Sequence, residues 1–498
     1  MQPRLQDRCY SQLLARGGDQ LAGQHRPRAQ TAPGPEGHSE LGVLRELQDD
    51  PLHFFLSCHR EFGEVVRLRI GPRRLLYLVS HPEAIRHILV TNRDNYTKGE
   101  SWEKQETDSN HPEKDLIRRG SLLSRRFLLG DGLLTSEGSL WKRQRRTIHP
   151  VFVRSRLNEF GQIMQAQIQQ MLSRWDQYSA QQSEFDLDEE MARLGLDIIV
   201  RTLFGEEVSL SEAERINQIF RRILHLTNAR TNRMFDVPER RPQGGDVEFH
   251  GLVEELDEII YVIIARRTKS NDQGRDFLSL LLSARDDEDG QQMEERQVRD
   301  EVVTFFLAGH ETTSSALSWT FYLLARHPEW EGAVQREVDR VIGSNRLPAV
   351  DDLQELRCSH RVIEESMRLY PPAWLIMRHT VGEDEIFGYR MPAGTDVIIS
   401  PYVVHRHKQF WKDPERFDPN RFQSTSASPD PFLYLPFGGG PRVCVGRNFA
   451  LMEAQLVLCS VVQRFSLKLV AERSVRPKAR FILQPETGIQ VRLLPRAG

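Results

Sequence analysis

Apolar positions along this chain recur mainly at three- and four-residue spacing, the period of a helix with one buried face. Between Gly138 and about Ser270 that period predicts successive helices: one from Trp141 onward, then Arg154–Tyr178, Leu187–Phe204, Glu212–Leu226 and Phe249–Arg267. A longer helix is predicted over about Glu295–Arg326, and helical spacing continues to Leu369. Strict alternation is rarer. It occurs in Glu64–Val79 (EVVRLRIGPRRLLYLV), which reads as a hairpin turning at Gly71-Pro72, followed by a helix over Pro82–Val90. A second strand region holds Gly388–Thr395 and Val397–Ile399. Residues 101–131 are polar and insertion-like, and residues 405–436 form a coil-like passage rich in Pro, Asp and Phe. A final helix is expected to start at about Val445, and short strands close the chain. Helices dominate and the strands sit at both ends, which predicts one large, mainly α domain with small β-sheets. No internal repeat is visible, which argues against a solenoid.

The 498 residues suffice for a sizeable core. No window of about 18 apolar residues exists, so no membrane-spanning helix is expected. The opening MQPRLQDRCYSQLLARGGDQ lacks the apolar run of a secretory signal. Arg4, Arg8, Arg16, Arg26 and Arg28 leave organelle targeting as the alternative to a cytoplasmic protein, with Asp7 and Asp19 against it. Thr31-Ala-Pro-Gly-Pro-Glu is turn-rich, and residues 1–40 are expected to form a flexible leader ahead of a domain over 41–498. Lys plus Arg number 67 against 70 Asp plus Glu, a net charge of −3, which excludes a nucleic-acid protein held by bulk charge. Hydrophobic residues make up 39%, which fits a soluble folded chain. Arg285-Asp-Asp-Glu-Asp-Gly reads as a solvated connector. Five cysteines (Cys9, Cys58, Cys358, Cys444 and Cys459) are too few and odd in number for a disulfide framework, and point to a reducing compartment.

Cys444 stands apart. Phe437-Gly-Gly-Gly-Pro-Arg-Val-Cys-Val-Gly-Arg-Asn-Phe-Ala is a glycine-rich loop running directly into a helix start. Unpaired N–H groups and the helix dipole favour an anion there, and the same field is expected to lower the thiol pKa. The residues alone leave several readings open. One is a buried structural cysteine. Another is a nucleophile, which needs a histidine base. A metal ligand is the third. Zinc needs several ligands, and no C-x-x-C or Cys/His cluster accompanies Cys444. A lone thiolate suits haem iron, where the porphyrin supplies four nitrogens.

Phe437-x-x-Gly440-x-Arg442-x-Cys444-x-Gly446 resembles, at every fixed position, the haem-binding signature of the cytochrome P450 family. The resemblance implies that Cys444 is the axial ligand of haem b, that Phe437 shields its sulfur and that Gly440 lets the loop turn. It implies that Arg442 reaches a propionate and that Gly446 lets the helix approach the porphyrin. Other segments resemble the family in the family's order. Ala308-Gly-His-Glu-Thr-Thr resembles the oxygen-activating groove of the long helix, with Thr312 beside the dioxygen site and Glu311 as the proton-relaying acid. Taken alone, the threonines would be ordinary hydroxyls bonding back to the helix. Glu365-Ser-Met-Arg368 resembles the family's E-x-x-R, followed by Pro371-Pro372. Pro414-Glu-Arg-Phe looks like the associated P-E-R-F, but the frame from Trp411 moves the match to Pro419-Asn-Arg421-Phe422. Arg421 is therefore expected to join Glu365 and Arg368 in a structural ion-pair group, with Arg416 on the surface. Trp141-Lys-Arg-Gln-Arg145 resembles the W-x-x-x-R segment, and Arg378 lies where the family places another propionate arginine.

The resemblance implies a cytochrome P450 fold, a single large helical domain with haem between the long central helix and the Cys loop. It implies a monooxygenase that inserts one atom of O2 into a C–H bond of a lipophilic substrate, fatty-acid or terpenoid in type. A thiolate ligand pushes electron density onto iron and favours O–O cleavage. No flavin or iron–sulfur segment is present, so electrons are expected from a separate ferredoxin or flavodoxin with its reductase. Arg442, Arg447, Lys142 and Arg143 are candidates for a basic docking patch. Alternatives are a haem-thiolate peroxygenase or isomerase, which often lack the acid–alcohol pair, and a non-enzymatic haem sensor. Phe305, Phe306, Ala308, Trp374, Leu375 and Ile376 are expected in the pocket wall. Arg118, Arg119, Arg125, Arg126, Arg230 and Arg233 are candidate anchors for a carboxylate.

Overall fold

The computed structural model describes residues 30–496 apart from 73, 99–127, 153, 206–207, 232–243, 271–273, 275, 424–429 and 471–473. Two helices open it, α1 (Leu44–Asp49) and α2 (Pro51–Phe62), which the apolar spacing had not singled out. They are short, and Pro51 begins the second while the Asp50 side chain accepts the His53 N–H. Strands β1 (Val65–Ile70) and β2 (Arg74–Val79) form the expected hairpin. Helix α3 (Pro82–Arg86) then widens into a π turn over His87–Thr91.

The helical body follows: α4 (Gly138–Ile148), α5 (Arg154–Gln181), α6 (Leu187–Phe204), α7 (Leu210–Thr231), α8 (Gly244–Lys269), α9 (Phe277–Ser283), α10 (Glu295–Arg326), α11 (Pro328–Val341) and α12 (Arg357–Leu369). Helix α10 is the axis of this body. Its residues from Val298 to Leu324 are mostly buried, hydroxyls included, so it is covered on nearly every side. It lies tightly on α6. A Cβ on Gly309 would come within 2.6 Å of Ile199 Cδ1, and one on Gly195 within 2.3 Å of Ser314 Oγ. These glycines permit the close approach of the two helices.

Strand β2 pairs in parallel with β8 (Asp396–Ile399), which pairs with β5 (Ile376–Thr380), which in turn pairs with β3 (Tyr96–Thr97). Residues 76–79 thus lie beside residues 396–399, so segments far apart in the sequence share one sheet. The remaining sheets are small: β6 (Asp384–Ile386) with β7 (Tyr389–Met391), β10 (Pro477–Ala479) with β11 (Leu483–Pro485), and β4 (Phe185–Asp186) with β12 (Gln490–Pro495) and β9 (Phe465–Leu469). Helix α13 (Pro401–Val404) precedes the Cys loop and α14 (Arg447–Arg464) follows it.

The expected boundary of the leader moves. Residues 30–40 belong to the fold: Ala32 is 2% exposed, the Arg67 N–H donates to Pro33 O at 2.8 Å, and Gln30 exchanges backbone bonds with Gly388 and Arg390. Residues 1–29 and most of the 101–131 segment lie outside the described residues. Among the described residues no helix is long and apolar enough to cross a membrane. Cys58, Cys358, Cys444 and Cys459 are free thiols.

Candidate active site around Cys444

The Cys loop is held by its own backbone. The Cys444 N–H donates to Phe437 O at 3.0 Å, and the Val443 N–H to Gly440 O at 3.1 Å. Gly440 has φ +68°, and a Cβ there would sit 2.4 Å from Leu89 O in the π turn. Only glycine fits that position without displacing backbone. Helix α14 begins at Arg447, with Gly446 as its N-cap residue, two positions later than expected. A Cβ on Gly446 would meet only the Cys444 Sγ, at 3.9 Å, so the protein atoms alone leave room there.

Cys444 is walled by protein yet keeps accessible surface. Burial pushes its thiol pKa up; the Gly446 N–H, Arg145 and Arg447 pull the other way without prevailing. The expected lowering by the helix end is therefore present in the chain but smaller than the desolvation of the thiolate. Coordination to a metal would supply the missing stabilisation of a thiolate.

Beside the loop stands a cationic wall. The Arg442 guanidinium carbon lies 4.4 Å from the Trp141 ring centroid, and its Nη2 donates to Ser136 O at 3.0 Å and to Glu137 Oε2 at 2.6 Å. The Lys98 N–H donates to Glu137 Oε1 at 2.7 Å, and its ammonium donates to Leu134 O. Arg378, on β5, donates to Met377 O at 2.8 Å and acts electrostatically on Lys98. Burial, with Arg442 and Arg378 next, brings Lys98 down to about 7; burial and Arg442 bring Arg378 down to about 10. Three buried or half-buried cations thus share one carboxylate, Glu137. The set is net positive and its members repel one another, a charge imbalance that fits the two propionates of a haem. Lys98 and Glu137 were not among the residues picked out from the sequence. Lys98 carries no motif, and its partners lie more than thirty residues away. Arg145, on the same helix as Trp141, has its pKa lowered by burial and interacts electrostatically with the Cys444 sulfur.

Helix α10 forms the opposite flank. Ala308 is exposed and Gly309 and Thr312 are half-buried, in contrast to the buried residues around them. The helix stays regular through this segment. The Thr312 hydroxyl donates to Ala308 O at 2.7 Å, so the ladder is not opened. Glu311 is 7% exposed, and its Oε2 has no hydrogen-bond partner. Burial first and the Asp188 carboxylate second push it up to about 7, with Arg480 opposing. His310 is occupied elsewhere, its Nε2 lying 3.0 Å from Ala192 O.

The ion-pair group is complete in the structure. Arg368 Nε and Nη2 donate to the two Glu365 oxygens at 2.7 and 2.8 Å, and Arg421 Nε lies 3.3 Å from Glu365 Oε1. Arg416 is exposed and offers only its backbone carbonyl, to Arg368 Nη2 at 3.1 Å. The cluster fastens α12 to the passage leading into the Cys loop.

Several surface and pocket expectations change. Asp286 is 3% exposed, not solvated: it accepts from Arg146 Nε and Nη2 at 3.1 and 3.0 Å and lies 3.4 Å from Arg143. Arg143 is thereby largely neutralised, and Lys142 and Arg447 remain as exposed cations. Phe306 is buried and stacks on Phe220 at 3.9 Å, and Trp374 is 2% exposed with its Nε1 donating to Arg480 O, so both are packing residues. Phe305 stacks on Phe152 at 5.5 Å. The side chains of Arg118, Arg119, Arg125, Arg126, Arg230 and Arg233 lie outside the described residues.

Comparison with known proteins agrees with this geometry. The chain is 32% identical to cyclooctatin synthase of Streptomyces melanosporofaciens, over 92% of this chain and 93% of that protein. It is 32% identical to pentalenene oxygenase of Streptomyces avermitilis, over 95% of this chain and 99% of that protein. The crystal structure of the cytochrome P450DA heme domain superposes with a TM-score of 0.82 at 26% identity, covering 95% of this chain and 98% of that one. The cytochrome P450 family model matches residues 32–493. A thiol loop, a cationic wall and an acid–alcohol pair on the long helix, joined by likeness over nearly the whole chain, identify it: the protein belongs to the cytochrome P450 family.

Proposed function

We propose that this haem-thiolate monooxygenase hydroxylates a cyclic terpenoid. The observation that carries this reading is its end-to-end likeness to proteins named cyclooctatin synthase and pentalenene oxygenase. The exposed Ala308, in an otherwise buried helix, supports an apolar surface for a hydrocarbon skeleton. A fatty acid is the second reading from the sequence, but none of the arginines named as carboxylate anchors has a described side chain.

In this reading Cys444 would supply the thiolate ligand of the haem, and Lys98, Arg378, Arg442 and Trp141 would hold its propionates. Haem, when bound, supplies dioxygen activation with two electrons from a separate donor. The chain does the rest. Phe437, whose carbonyl fixes the Cys444 N–H, screens the sulfur, and Arg447 lies over its ring at 5.7 Å. The Thr312 hydroxyl, which donates to the Ala308 carbonyl in this structure, would turn toward the pocket, and Glu311 holds a proton near neutral pH. Per turnover one oxygen atom enters the C–H bond, and the other leaves as water with two protons and two electrons.

We further propose a cytoplasmic enzyme served by a ferredoxin or flavodoxin that meets the exposed Lys142 and Arg447. Incubation with pentalenene and a surrogate ferredoxin and reductase tests the substrate reading. An alcohol one oxygen heavier supports it. Turnover of long-chain fatty acids with none of pentalenene or related cyclic terpenes overturns it.

A further inference from the structure

The Cys loop is tied to α12 by a histidine that lies outside the motifs around it. His405 ends α13, where its N–H donates to Pro401 O at 2.8 Å, and it is fully buried. Its ring spans two stretches of backbone. Nε2 lies 2.8 Å from the Leu435 N, and Nδ1 lies 3.1 Å from Arg368 O. A backbone N–H can only donate, so Nε2 is the bare nitrogen. The proton of the neutral ring is then on Nδ1 and is donated to Arg368 O. Arg368 stands in the last turn of α12, where carbonyls have no partner within the helix. One ring thus satisfies an orphan carbonyl and a buried N–H, both costly to leave bare. Arg368 Nη1 doubles the link by donating to His405 O at 2.9 Å. The neighbouring Tyr434 ring, 5.3 Å from that of His405, reaches the same helix, its hydroxyl donating to Glu364 O at 2.8 Å.

Leu435 is where this anchor passes into the loop. Its carbonyl accepts the Gly438 N–H at 3.0 Å, and two residues on from Leu435 the Phe437 carbonyl accepts the Cys444 N–H at 3.0 Å. Its side chain is fully buried under Gly439, where a Cβ would stand 3.3 Å from Leu435 Cδ2. We propose that His405 is a positioning residue that fixes the register of the Cys loop on α12 and so keeps the Cys444 sulfur in place to ligate as a thiolate. This rests on Cys444 being the haem ligand. The charge state of the ring supports the role. Burial first, then Arg368 and Arg406, bring His405 down to about 3. The lone pair on Nε2 therefore stays available to Leu435 at neutral and mildly acidic pH. Phenylalanine has similar bulk but neither function. A glutamine amide oxygen can reach the Nε2 position, and an asparagine amide can reach only that of Nδ1.

Three readouts test this on the full-length haem protein. The first is how long the thiolate-type Soret band of the reduced carbon monoxide complex persists. In His405→Phe it is expected to decay about 10-fold faster than in the parent, the effect of one lost hydrogen bond. His405→Asn is expected to behave alike and serves where His405→Phe does not fold, whereas His405→Gln is expected to recover most of the parental persistence. Leu256→Ala supplies a loss of stability elsewhere: Leu256 is fully buried in α8, which packs on α7 and α10, and its variant is expected to keep the parental decay. The second readout is hydrogen–deuterium exchange of the peptides holding Leu435 and Cys444. It is expected to quicken in His405→Phe and His405→Asn and not in Leu256→Ala. The third needs no variant: nitrogen-15 resonances of the labelled histidines should show His405 as the neutral ring protonated on Nδ1. Exchange and tautomer do not depend on what Cys444 ligates. A parent that lacks the thiolate-type band therefore fails the ligand reading, and the other two readouts still judge the anchor. Parental band decay in His405→Phe and His405→Asn, equal acceleration in Leu256→Ala, or a His405 ring protonated on Nε2 overturns the proposal.

Discussion

Arg421 Nε lies 3.3 Å from Glu365 Oε1, on a carboxylate that Arg368 already holds with two bonds and that also accepts the Asp418 N–H at 2.8 Å. Glu365 and Arg368 are fully buried. Removing Glu365 strands the Arg368 guanidinium, and Glu365→Ala is expected to cost about 3–5 kcal/mol. Arg421→Ala leaves the inner pair intact and should cost about 1–2 kcal/mol. Arg416→Ala, whose side chain is exposed, should stay within about 0.5 kcal/mol of the parent. Urea melts of the three variants check the order, and a loss in Arg416→Ala equal to that in Arg421→Ala would contradict it.

Gly440 combines a left-handed backbone with a carbonyl 2.4 Å from where a Cβ would stand. Gly440→Ala is expected to lose about 2 kcal/mol or more of stability and to loosen the Cys loop. Gly446→Ala meets no protein atom closer than 3.9 Å, so it should leave the haem-free chain unaffected and act only once haem is present. Melting curves of both variants, with and without haem, distinguish the two roles.

Glu453, in α14, is 1% exposed, has an unpartnered Oε1 and is pushed by burial up to about 8. A carboxyl raised above its unfolded value binds more protons folded than unfolded between the two pKa values. Its contribution is therefore fully present below about 4.5 and is lost as pH rises toward 8, with a slope of up to about 1.4 kcal/mol per pH unit. Glu453→Gln should flatten the stability–pH curve between pH 5 and 8. Denaturant midpoints across that range check this, and an unchanged slope would contradict it.

The cationic wall predicts a defect in haem retention. Lys98→Met should weaken haem binding about 10-fold or more, the loss expected for one charge-assisted hydrogen bond. Competition for haem with a haem-scavenging protein provides the measurement. Unchanged retention would place Lys98 outside the propionate site.

What was legible in the sequence was what lies close together along it. The Phe437–Gly446 loop, the Glu365–Arg368 turn and the Trp141–Arg145 turn each carry their chemistry within ten residues, so spacing reveals them. Arg421 was separable from Arg416 because the frame from Trp411 set its register. Long helices such as α5, α6 and α10 show their period over many turns. Helices α1 and α2 are short and divided at Asp50-Pro51, so too few turns repeat to reveal them. Lys98, Asp188 and Asp286 were illegible for another reason. None of them belongs to a motif, and partners such as Glu137, Ser318 and Arg146 come from 39, 130 and 140 residues away. Phe306 looks like a pocket residue by its neighbours, and only the stacking with Phe220 shows that it is core.

The central claim is that Cys444 ligates haem as a thiolate. The direct test is the difference spectrum of the reduced protein with carbon monoxide, recorded beside Cys444→Ala. A strongly red-shifted Soret band in the parent, absent from the variant, is the predicted result. A band typical of histidine-ligated haem, or the same thiolate-type band in Cys444→Ala, would contradict it.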